Sequence, residues 1–438
     1  MALTKVVPNI IAVANNVTNK TVGNTTSIPS FTFDGAGVVT SASNVAISGA
    51  GITANTVANS AFQTGSVENY LRGANLDFGM RNRIINGAMV FDQRNAGASF
   101  ATNTGAERYT LDRWQAYYGS QNKYTVQRNA GSVTPPAGFT NYIGATSSSA
   151  YTVGASEEFS INQYIEGFNW ADLNWGTASA RPVTLSFWVR SSLTGTFGGA
   201  LRNYAGNRSY TYSYTINSAN TWEYKIVTIA GDTGGTWAGA TNSGAVIVGF
   251  ALGVGSSNST AAGSWVAGNF QSVPSAVSVV GTNGATFYLT GVQIEEGSVP
   301  TPFEYRQYGA ELALCQRYYE KSYAQATAVP TNAVSSYIVF NLGTNTYYGG
   351  ATGDVSQNLN TAFFKVTKRA NPTVTTYSYT SSVTGVASNG WTGADLAAGT
   401  ATVAQVDTLG FNVYNGSGSN RTVNPGAVIV HFAASVEL

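Results

Sequence analysis

The sequence predicts a mainly β protein: an antiparallel jelly roll or β-sandwich, then a short amphipathic helix, then a smaller C-terminal β-sandwich. Two observations predict this fold class. Short runs of alternating apolar and polar residues recur between about residues 83 and 306, and Gly, Asn and Ser separate them without intervening helices. The alternation breaks at 304–323 and then resumes up to residue 438.

Residues 1–80 have a composition unlike the rest of the chain. They are rich in Asn, Thr, Ser, Ala and Gly, and large aromatic residues are scarce. A segment of this kind buries too little apolar surface to fold alone. The regularly spaced Val and Ile favour order gained by intertwining with its own copies or by docking on a larger assembly, with disorder as the alternative. We therefore predict an extended N-terminal attachment or shaft segment.

The block 81–306 is predicted to be the jelly roll. Its stretch VTLSFWVR places four apolar side chains on one face of a strand, namely Val183, Leu185, Phe187 and Val189. The opposite face carries Trp188 beside Arg190. A tryptophan on the face expected to meet water suggests a binding surface, a neighbouring subunit or a covering loop.

Residues 307–323 are predicted to form the connecting helix, because Leu312, Cys315 and Tyr319 follow Tyr308 at helical spacing. This stripe is predicted to pack on its own sandwich or on symmetry mates about an axis. The strand-like runs return at 324–438, which we predict to be a C-terminal β-domain and a possible receptor-binding tip.

The composition argues against several functions. Only 10% of the residues are charged and the formal net charge is +1, which argues against nucleic-acid binding. A single cysteine and a single histidine exclude internal disulfides and Cys–His zinc sites. No apolar run is long enough to span a membrane, and Pro8 and Asn9 interrupt the only stretch that resembles a signal peptide.

Catalytic groups are not predicted. Cleavage of a glycan needs two carboxylates that face each other across the bond. The candidate carboxylates are Glu157, Glu158, Asp172, Glu295 and Glu296. Two pairs of them are adjacent in sequence, and neighbouring residues of a strand point to opposite faces, so neither pair can act together by itself. His431 lies in a terminal strand without a nucleophile motif nearby, and we predict a structural role for it.

Sugar recognition requires fewer groups than catalysis. An aromatic face stacks on the apolar side of a sugar ring, and amide, hydroxyl or guanidinium groups bind its hydroxyls. The predicted carbohydrate-binding residues are Trp170, Trp175, Trp188, Arg190 and Tyr212. Packing in the core or between strands is the alternative for each of them.

Several of these stretches resemble known families. NGAMVFDQRN, LDRW, PVTLSFWVRSS, NTWEYKIVTI, FYLTGVQIEEG and ELALCQRYY occur in an order that resembles a module of bacteriophage tail fibres, over roughly residues 82–323. The same block resembles carbohydrate-binding modules of the jelly-roll type, many of which hold a structural calcium. The closing strand reads Thr290, Gly291 and Val292 where those modules carry an acidic residue, so no cofactor is expected and calcium is doubtful.

The resemblance implies a virion protein, made in the host cytoplasm and assembled as a homotrimer. Its N-terminal segment would dock on other tail proteins, and its β-domains would bind a host-surface polysaccharide or lipopolysaccharide. The expected function is a non-enzymatic adhesin. A purely structural fibre or tail component and a polysaccharide-depolymerising tailspike are the alternatives.

Overall fold

The computed structural model describes residues 27–35, 37, 39–46, 80–102, 109–333, 335–341, 360–390, 392–396, 401–414 and 427–438. The chain divides into two units, Met1–Ala74 and Asn75–Leu438. In the first unit, β1 (Ser27–Phe33) and β2 (Val39–Ala46) pair as an antiparallel hairpin. The other residues of the predicted attachment segment, apart from Gly35, Gly37, Asp34 and Met80, lie outside the described residues.

The prediction of a mainly β chain with an antiparallel sandwich is confirmed. Two six-stranded antiparallel sheets, in the orders β13-β10-β9-β12-β7-β4 and β11-β8-β14-β6-β5-β3, face each other. Their strands are β3 (Phe100–Ala101), β4 (Trp114–Tyr118), β5 (Tyr124–Arg128), β6 (Ile143–Ser147), β7 (Glu158–Glu166), β8 (Val183–Ser191), β9 (Gly195–Asn203), β10 (Arg208–Ile216), β11 (Glu223–Ile229), β12 (Gly244–Val254), β13 (Trp265–Ala267) and β14 (Thr286–Glu296).

The sandwich core forms where the inner faces of the two sheets meet. The ring of Phe187 on β8 lies 5.0 Å from that of Tyr214 on β10 and 5.0 Å from that of Phe250 on β12, in edge-to-face contacts. Full burial of a side chain such as Phe187 contributes about 1.5–3 kcal/mol. The alternation in β8 therefore assigns its two faces correctly, and leaves Trp188 and Arg190 on the outside of the sandwich.

Within the described residues the chain forms one α-helix, α1 (Tyr308–Gln316). It ends before the predicted boundary at residue 323, because β15 (Tyr319–Lys321) pairs with the last strand, β22 (Ala427–Ser435). The strands between them are β16 (Ile338–Asn341), β17 (Asn360–Phe363), β18 (Thr373–Ser378), β19 (Ser388–Asn389), β20 (Thr402–Ala404) and β21 (Gly410–Tyr414).

The C-terminal strands form two small antiparallel sheets. β22 pairs with β15, β16, β18 and β19, and the other sheet has the order β17-β21-β20. Phe340, Phe411 and Phe432 belong to one buried cluster that joins these sheets. Parts of the predicted tip, residues 342–359 and 415–426, lie outside the described residues.

The residues predicted to contact symmetry mates are used within the chain. Cys315 is buried with Ile85 and Phe91, and Leu312 packs half-buried against the same cluster. Tyr319 is buried in β15, beneath the guanidinium of Arg94 at 3.7 Å from its ring centre. Cys315 and Tyr319 are therefore not available as trimer contacts, which corrects that prediction.

Buried charges join the sandwich to the C-terminal sheets, and we call the set Arg94, Asp112, Arg113, Tyr318 and Glu437 the seam. Arg113 pairs with the Glu437 carboxylate and lies 3.5 Å above the ring of Tyr318. Arg94 lies 3.1 Å from Glu437 and 3.5 Å from Asp112. Because all five side chains are almost fully shielded from water, each charge depends on its partner for stabilisation.

Further ion pairs flank the seam. Arg317 donates to both carboxylate oxygens of Glu166, at 3.0 and 2.6 Å, and the Tyr318 hydroxyl donates to the same carboxylate at 2.6 Å. Lys368 and Glu320 form a fully buried pair 2.6 Å apart. The Glu166 contacts tie the end of β7 to the segment between α1 and β15, and the Lys368–Glu320 pair lies within the C-terminal part.

Candidate functional site

An open groove lies on the outer face of the sandwich, and one of its walls is a cross-strand aromatic pair. Trp188 on β8 is directly opposite Tyr224 on β11, and their ring centres are 5.3 Å apart. Trp188 is half-buried and Tyr224 is 41% exposed. Both rings therefore present surface to a ligand while each holds the other in place.

The opposite wall is built from segments without regular structure. Phe139 comes from the loop between β5 and β6, and Phe303 and Tyr305 come from the segment after β14. Their ring centres are 4.8–5.6 Å apart. These three rings form a continuous aromatic surface that faces Trp188.

The segment after β14 is held on the sheet by outward-facing side chains of β14. The Glu295 carboxylate accepts hydrogen bonds from the Thr301 amide at 2.8 Å and from the Thr301 hydroxyl at 2.6 Å. The Gln293 side-chain oxygen accepts one from the Glu304 amide at 2.8 Å. A buried carboxylate thus positions the aromatic wall, which explains why Glu295 is only 1% exposed.

Gly291 gives the groove its depth. It lies at a β-bulge in β14 with a φ of +59°, a conformation that favours glycine. A Cβ there would lie 2.6 Å from Phe139 and 3.1 Å from Trp188. Because Gly291 has no side chain, Phe139 and Trp188 can both lie close to the backbone at the floor of the groove, whose volume is about 280 Å³.

Ser186 supplies a hydroxyl at the floor. It is next to Trp188 on the same strand face, is only 2% exposed and lines the groove. Its hydroxyl makes no hydrogen bond to any described residue and is not wholly enclosed, so a ligand in the groove can reach it. A ligand hydroxyl in the groove would satisfy it.

The groove is uncharged. The described residues that line it include no Asp, Glu, His, Lys or Arg. The lining consists of Phe139, Ser186, Trp188, Tyr224, Gly291, Pro302, Phe303 and Tyr305. Aromatic walls with one free hydroxyl can stack on the apolar face of a neutral ring and donate or accept one hydrogen bond.

Arg190, predicted to act with Trp188, lies on the same face outside the groove lining. Its Nε donates to the Asn220 carbonyl at 2.9 Å, and its guanidinium lies 5.4 Å from the centre of the Tyr288 ring. These contacts fix the side chain beside Tyr288. The structure therefore separates the predicted pair, with Trp188 in the groove and Arg190 next to it.

Trp170 and Trp175, also predicted to bind sugar, belong to a cluster of tryptophans. Trp175 meets Trp170, Trp237 and Trp265 edge-to-face at 4.8–5.1 Å, and its Nε1 donates to the Arg181 carbonyl at 2.7 Å. Trp170 is 1% exposed. Buried rings have no face for a sugar, so these two residues pack the sandwich instead.

Tyr212 is a core residue as well. The aromatic side chains of β10 point inward, and the Tyr212 hydroxyl donates to the Gly249 carbonyl at 2.9 Å. Burial raises the pKa of its phenol well above the usual value. This corrects the prediction that Tyr212 binds carbohydrate.

The carboxylates considered for catalysis are held by partners within the chain. Glu158 lies 3.6 Å from Arg202, Asp172 pairs with Arg83 at 2.6 Å, and Glu296 pairs with Arg181 at 3.1 Å. Glu295 holds Thr301, and Glu157 accepts hydrogen bonds from Ser120 and Tyr151. Each of the five therefore has a structural partner, and none lines the groove.

His431 is fully buried. Its Nε2 donates to the Ala333 carbonyl at 2.8 Å, its Nδ1 lies 3.0 Å from the Ser322 hydroxyl, and its ring stacks on Tyr323 at 3.9 Å. Burial lowers the pKa of the imidazole, which favours the neutral ring. These contacts are structural.

The described ranges contain neither a metal-binding cluster nor a membrane-spanning helix. No group of three or more His, Cys, Asp or Glu side chains in those ranges could hold a metal ion. Among the described residues, no helix is long and apolar enough to cross a membrane.

Comparisons with known proteins find only distant similarity. No protein-family model matches the chain, and no curated protein matches it. The enzymatically active domain of bacteriophage CBA120 tailspike protein 4 matches with a TM-score of 0.29 and 13% identity, over 49% of this chain and 21% of that one. This chain thus spans about a fifth of the tailspike chain.

Two carbohydrate-binding modules match over nearly their whole length. The family 11 module from Clostridium thermocellum, solved with a β-1,3-1,4-mixed-linked tetrasaccharide, has a TM-score of 0.22 and 11% identity, over 46% of this chain and 98% of its own. TmCBM61, solved with β-1,4-galactotriose, has a TM-score of 0.24 and 10% identity, over 50% and 99%. Similarity at this level assigns no function.

Four aromatic residues of the groove walls were not predicted from the sequence: Phe139, Tyr224, Phe303 and Tyr305. For Tyr224 the period of β11 separates its face from that of Lys225 and Val227, but it does not tell which of the two faces is the outer one. The other three lie in irregular segments, whose position depends on tertiary contacts.

Proposed function

We propose that this protein is a bacteriophage tail-fibre adhesin that binds a neutral host-surface glycan without cleaving it. The observation that carries glycan binding is the aromatic groove between Trp188 and Tyr305, with the unpartnered Ser186 hydroxyl at its floor. The virion role is supported by the resemblance of residues 82–323 to tail-fibre modules.

A sugar ring in this groove would place its apolar C–H face on Trp188 or Tyr224. Its edge would point toward Ser186, which can exchange a hydrogen bond with a ring hydroxyl. A single open groove of this kind would bind weakly. We propose that a homotrimer, attached to tail proteins by its N-terminal segment, supplies the avidity that retains a particle.

Binding without cleavage is favoured by the placement of the carboxylates. Glycoside hydrolysis uses two carboxyl groups on either side of the scissile bond. The carboxylates adjacent in sequence to the groove lining are engaged elsewhere: Glu223 accepts from the Lys225 ammonium at 2.6 Å, and Glu304 accepts from the Asn82 amide at 2.6 Å. A ligand in the groove would therefore meet rings and a hydroxyl, not an acid–base pair.

A purely structural virion role is the second candidate. Ile226 is 50% exposed on the same face as Tyr224, and a neighbouring protein would bury such a surface. The depolymerase is the third candidate. In each case the protein would be made in the host cytoplasm and reside in the virion.

An array of bacterial surface polysaccharides, followed by a reducing-end assay, separates the three candidates. The adhesin retains at least one polysaccharide and releases no new reducing ends from it. Release of reducing ends would establish a depolymerase. Failure to retain any polysaccharide, at concentrations where the protein sediments as a trimer, would favour the structural role, and a sedimentation mass of one chain would refute the trimer.

A further inference from the structure

A second hollow lies on the other side of Phe303 and Tyr305, the two rings that it shares with the groove. Its volume is about 140 Å³. Tyr308, at the start of α1, lines this hollow but not the groove, and is 60% exposed, as is Tyr305. Two exposed tyrosines therefore flank one small depression next to the proposed binding groove.

Both tyrosines are held in fixed positions. The Tyr305 hydroxyl donates to the Gly138 carbonyl at 2.8 Å, and its ring lies 4.8 Å from that of Phe303. The Tyr308 ring lies 4.8 Å from that of Phe91, which is buried. Exposed rings that are already immobilised lose little conformational entropy when a ligand binds.

The charged side chains around the second hollow are satisfied by one another. Arg306 donates to Glu311 at 3.0 Å and to the Ile84 carbonyl at 3.0 Å, and Glu311 also accepts from the Asn86 amide. Two carboxylates, Glu304 and Glu311, share the one guanidinium of Arg306, so the lining has one negative charge in excess and disfavours an acidic ligand. What the hollow offers is aromatic and aliphatic surface, including Ala88 and Val90.

We propose, resting on the proposed function, that the second hollow is a further sugar subsite and that one glycan chain crosses Tyr305 to occupy both. The ligand class is then a neutral oligosaccharide, with one sugar in each hollow and at least one above the ridge of Phe303 and Tyr305. Tyr308 acts as a distal stacking residue that short ligands do not reach. Affinity consequently depends on chain length.

Calorimetry with a size-graded ligand series tests this proposal. The probe is the set of oligosaccharides released by mild acid from the polysaccharide that the wild-type protein retains on the array. Wild-type affinity should rise about tenfold once the chain is long enough to reach Tyr308. Tyr308→Ala should lose that gain and bind the shortest ligands as the wild type does, and Tyr308→Phe should keep it because the ring remains.

Phe168→Ala is the matched control, because Phe168 is 55% exposed and lines neither hollow. The affinity of this variant should rise with oligosaccharide length as that of the wild type does. A Tyr308→Ala protein that keeps the full gain with length would overturn the second subsite and leave the groove intact. Absence of binding by the wild type at every length would overturn the proposed function itself.

Discussion

The groove and the seam are built from different kinds of side chain. The groove is open, aromatic and uncharged, whereas the seam packs Arg94, Asp112, Arg113 and Glu437 out of contact with water. In a chain with only 10% charged residues, four ionic side chains are buried together where two parts of the fold join. The surface available for recognition relies on rings and hydroxyls instead. Substitutions in the seam should change stability, and substitutions in the groove should change binding.

The largest effect is expected from Glu437→Gln. The change leaves the buried Arg113 guanidinium without its counter-charge, which should lower the free energy of unfolding by about 3–5 kcal/mol. Urea unfolding measures the loss. The control is Glu296→Gln, whose partner Arg181 is 40% exposed, and it should cost at most about 1 kcal/mol. Equal, small losses in both variants would mean that the seam is not a structural joint.

Trp188→Ala should have the largest effect on binding. Removal of the central stacking surface should weaken glycan binding by about 2 kcal/mol, or roughly 30-fold. Calorimetry with the retained oligosaccharides provides the measurement, and Phe168→Ala should bind normally. If Trp188→Ala bound as tightly as Phe168→Ala, the glycan would occupy another surface.

The pH dependence should also distinguish the two regions. Burial raises the pKa of Asp112 from its ordinary 3.8 to about 7, with Asp92 and Glu437 adding to the effect and Arg94 opposing it. The folded state therefore holds a proton that the unfolded chain releases between about pH 4 and pH 7. This contribution to stability is complete below about pH 4 and is lost as the pH rises to about 7, with a slope of at most about 1.4 kcal/mol per pH unit.

Asp112→Asn should flatten that slope, because the amide mimics the neutral acid and does not titrate. Unfolding free energies at about pH 5, 6 and 7 measure the change. Burial also raises the pKa of Asp92, so part of the slope should persist in the variant. Glycan affinity should stay constant over the same range, since the described groove lining carries no charge. An unchanged slope in Asp112→Asn would contradict the assignment.

The smallest effect is expected from Ser186→Ala. Its hydroxyl has no partner among the described residues, so the variant should fold with unchanged stability and bind about 3- to 10-fold more weakly. Ser191→Ala on the same strand is the reciprocal control, because that buried hydroxyl donates to the Thr286 carbonyl at 2.6 Å. It should lose stability and keep its affinity. Unaltered affinity in Ser186→Ala would remove the hydroxyl from the binding model.

Strand alternation predicted the position of Trp188 but not the site around it. The period of β8 identified the inner face from Val183 to Val189 and left Trp188 outside. In β10 the same period could not tell which face is inner, and Tyr212 proved to be a core residue. Periodicity separates two faces, whereas the choice between them depends on which sheet packs opposite.

Contacts between segments that are distant in sequence could not be predicted from the sequence. Tyr305 reaches the groove because Glu295 and Gln293 hold the segment that precedes it, and Glu437 meets Arg113 across more than three hundred residues. The prediction of a helix up to residue 323 was wrong for a related reason. Tyr319 lies in β15, which pairs with β22, and not in the helix. Local pattern carries no information about such partners.

Hydroxyl-radical footprinting with and without bound oligosaccharide reports solvent access residue by residue, and so determines which surface the glycan covers. We expect bound ligand to protect Trp188, Tyr224 and Tyr305 from oxidation, while Tyr204 and Phe363, which are exposed elsewhere, react unchanged. Protection at Phe363 in the C-terminal sheets, with Trp188 still reactive, would contradict it and assign recognition to the C-terminal domain.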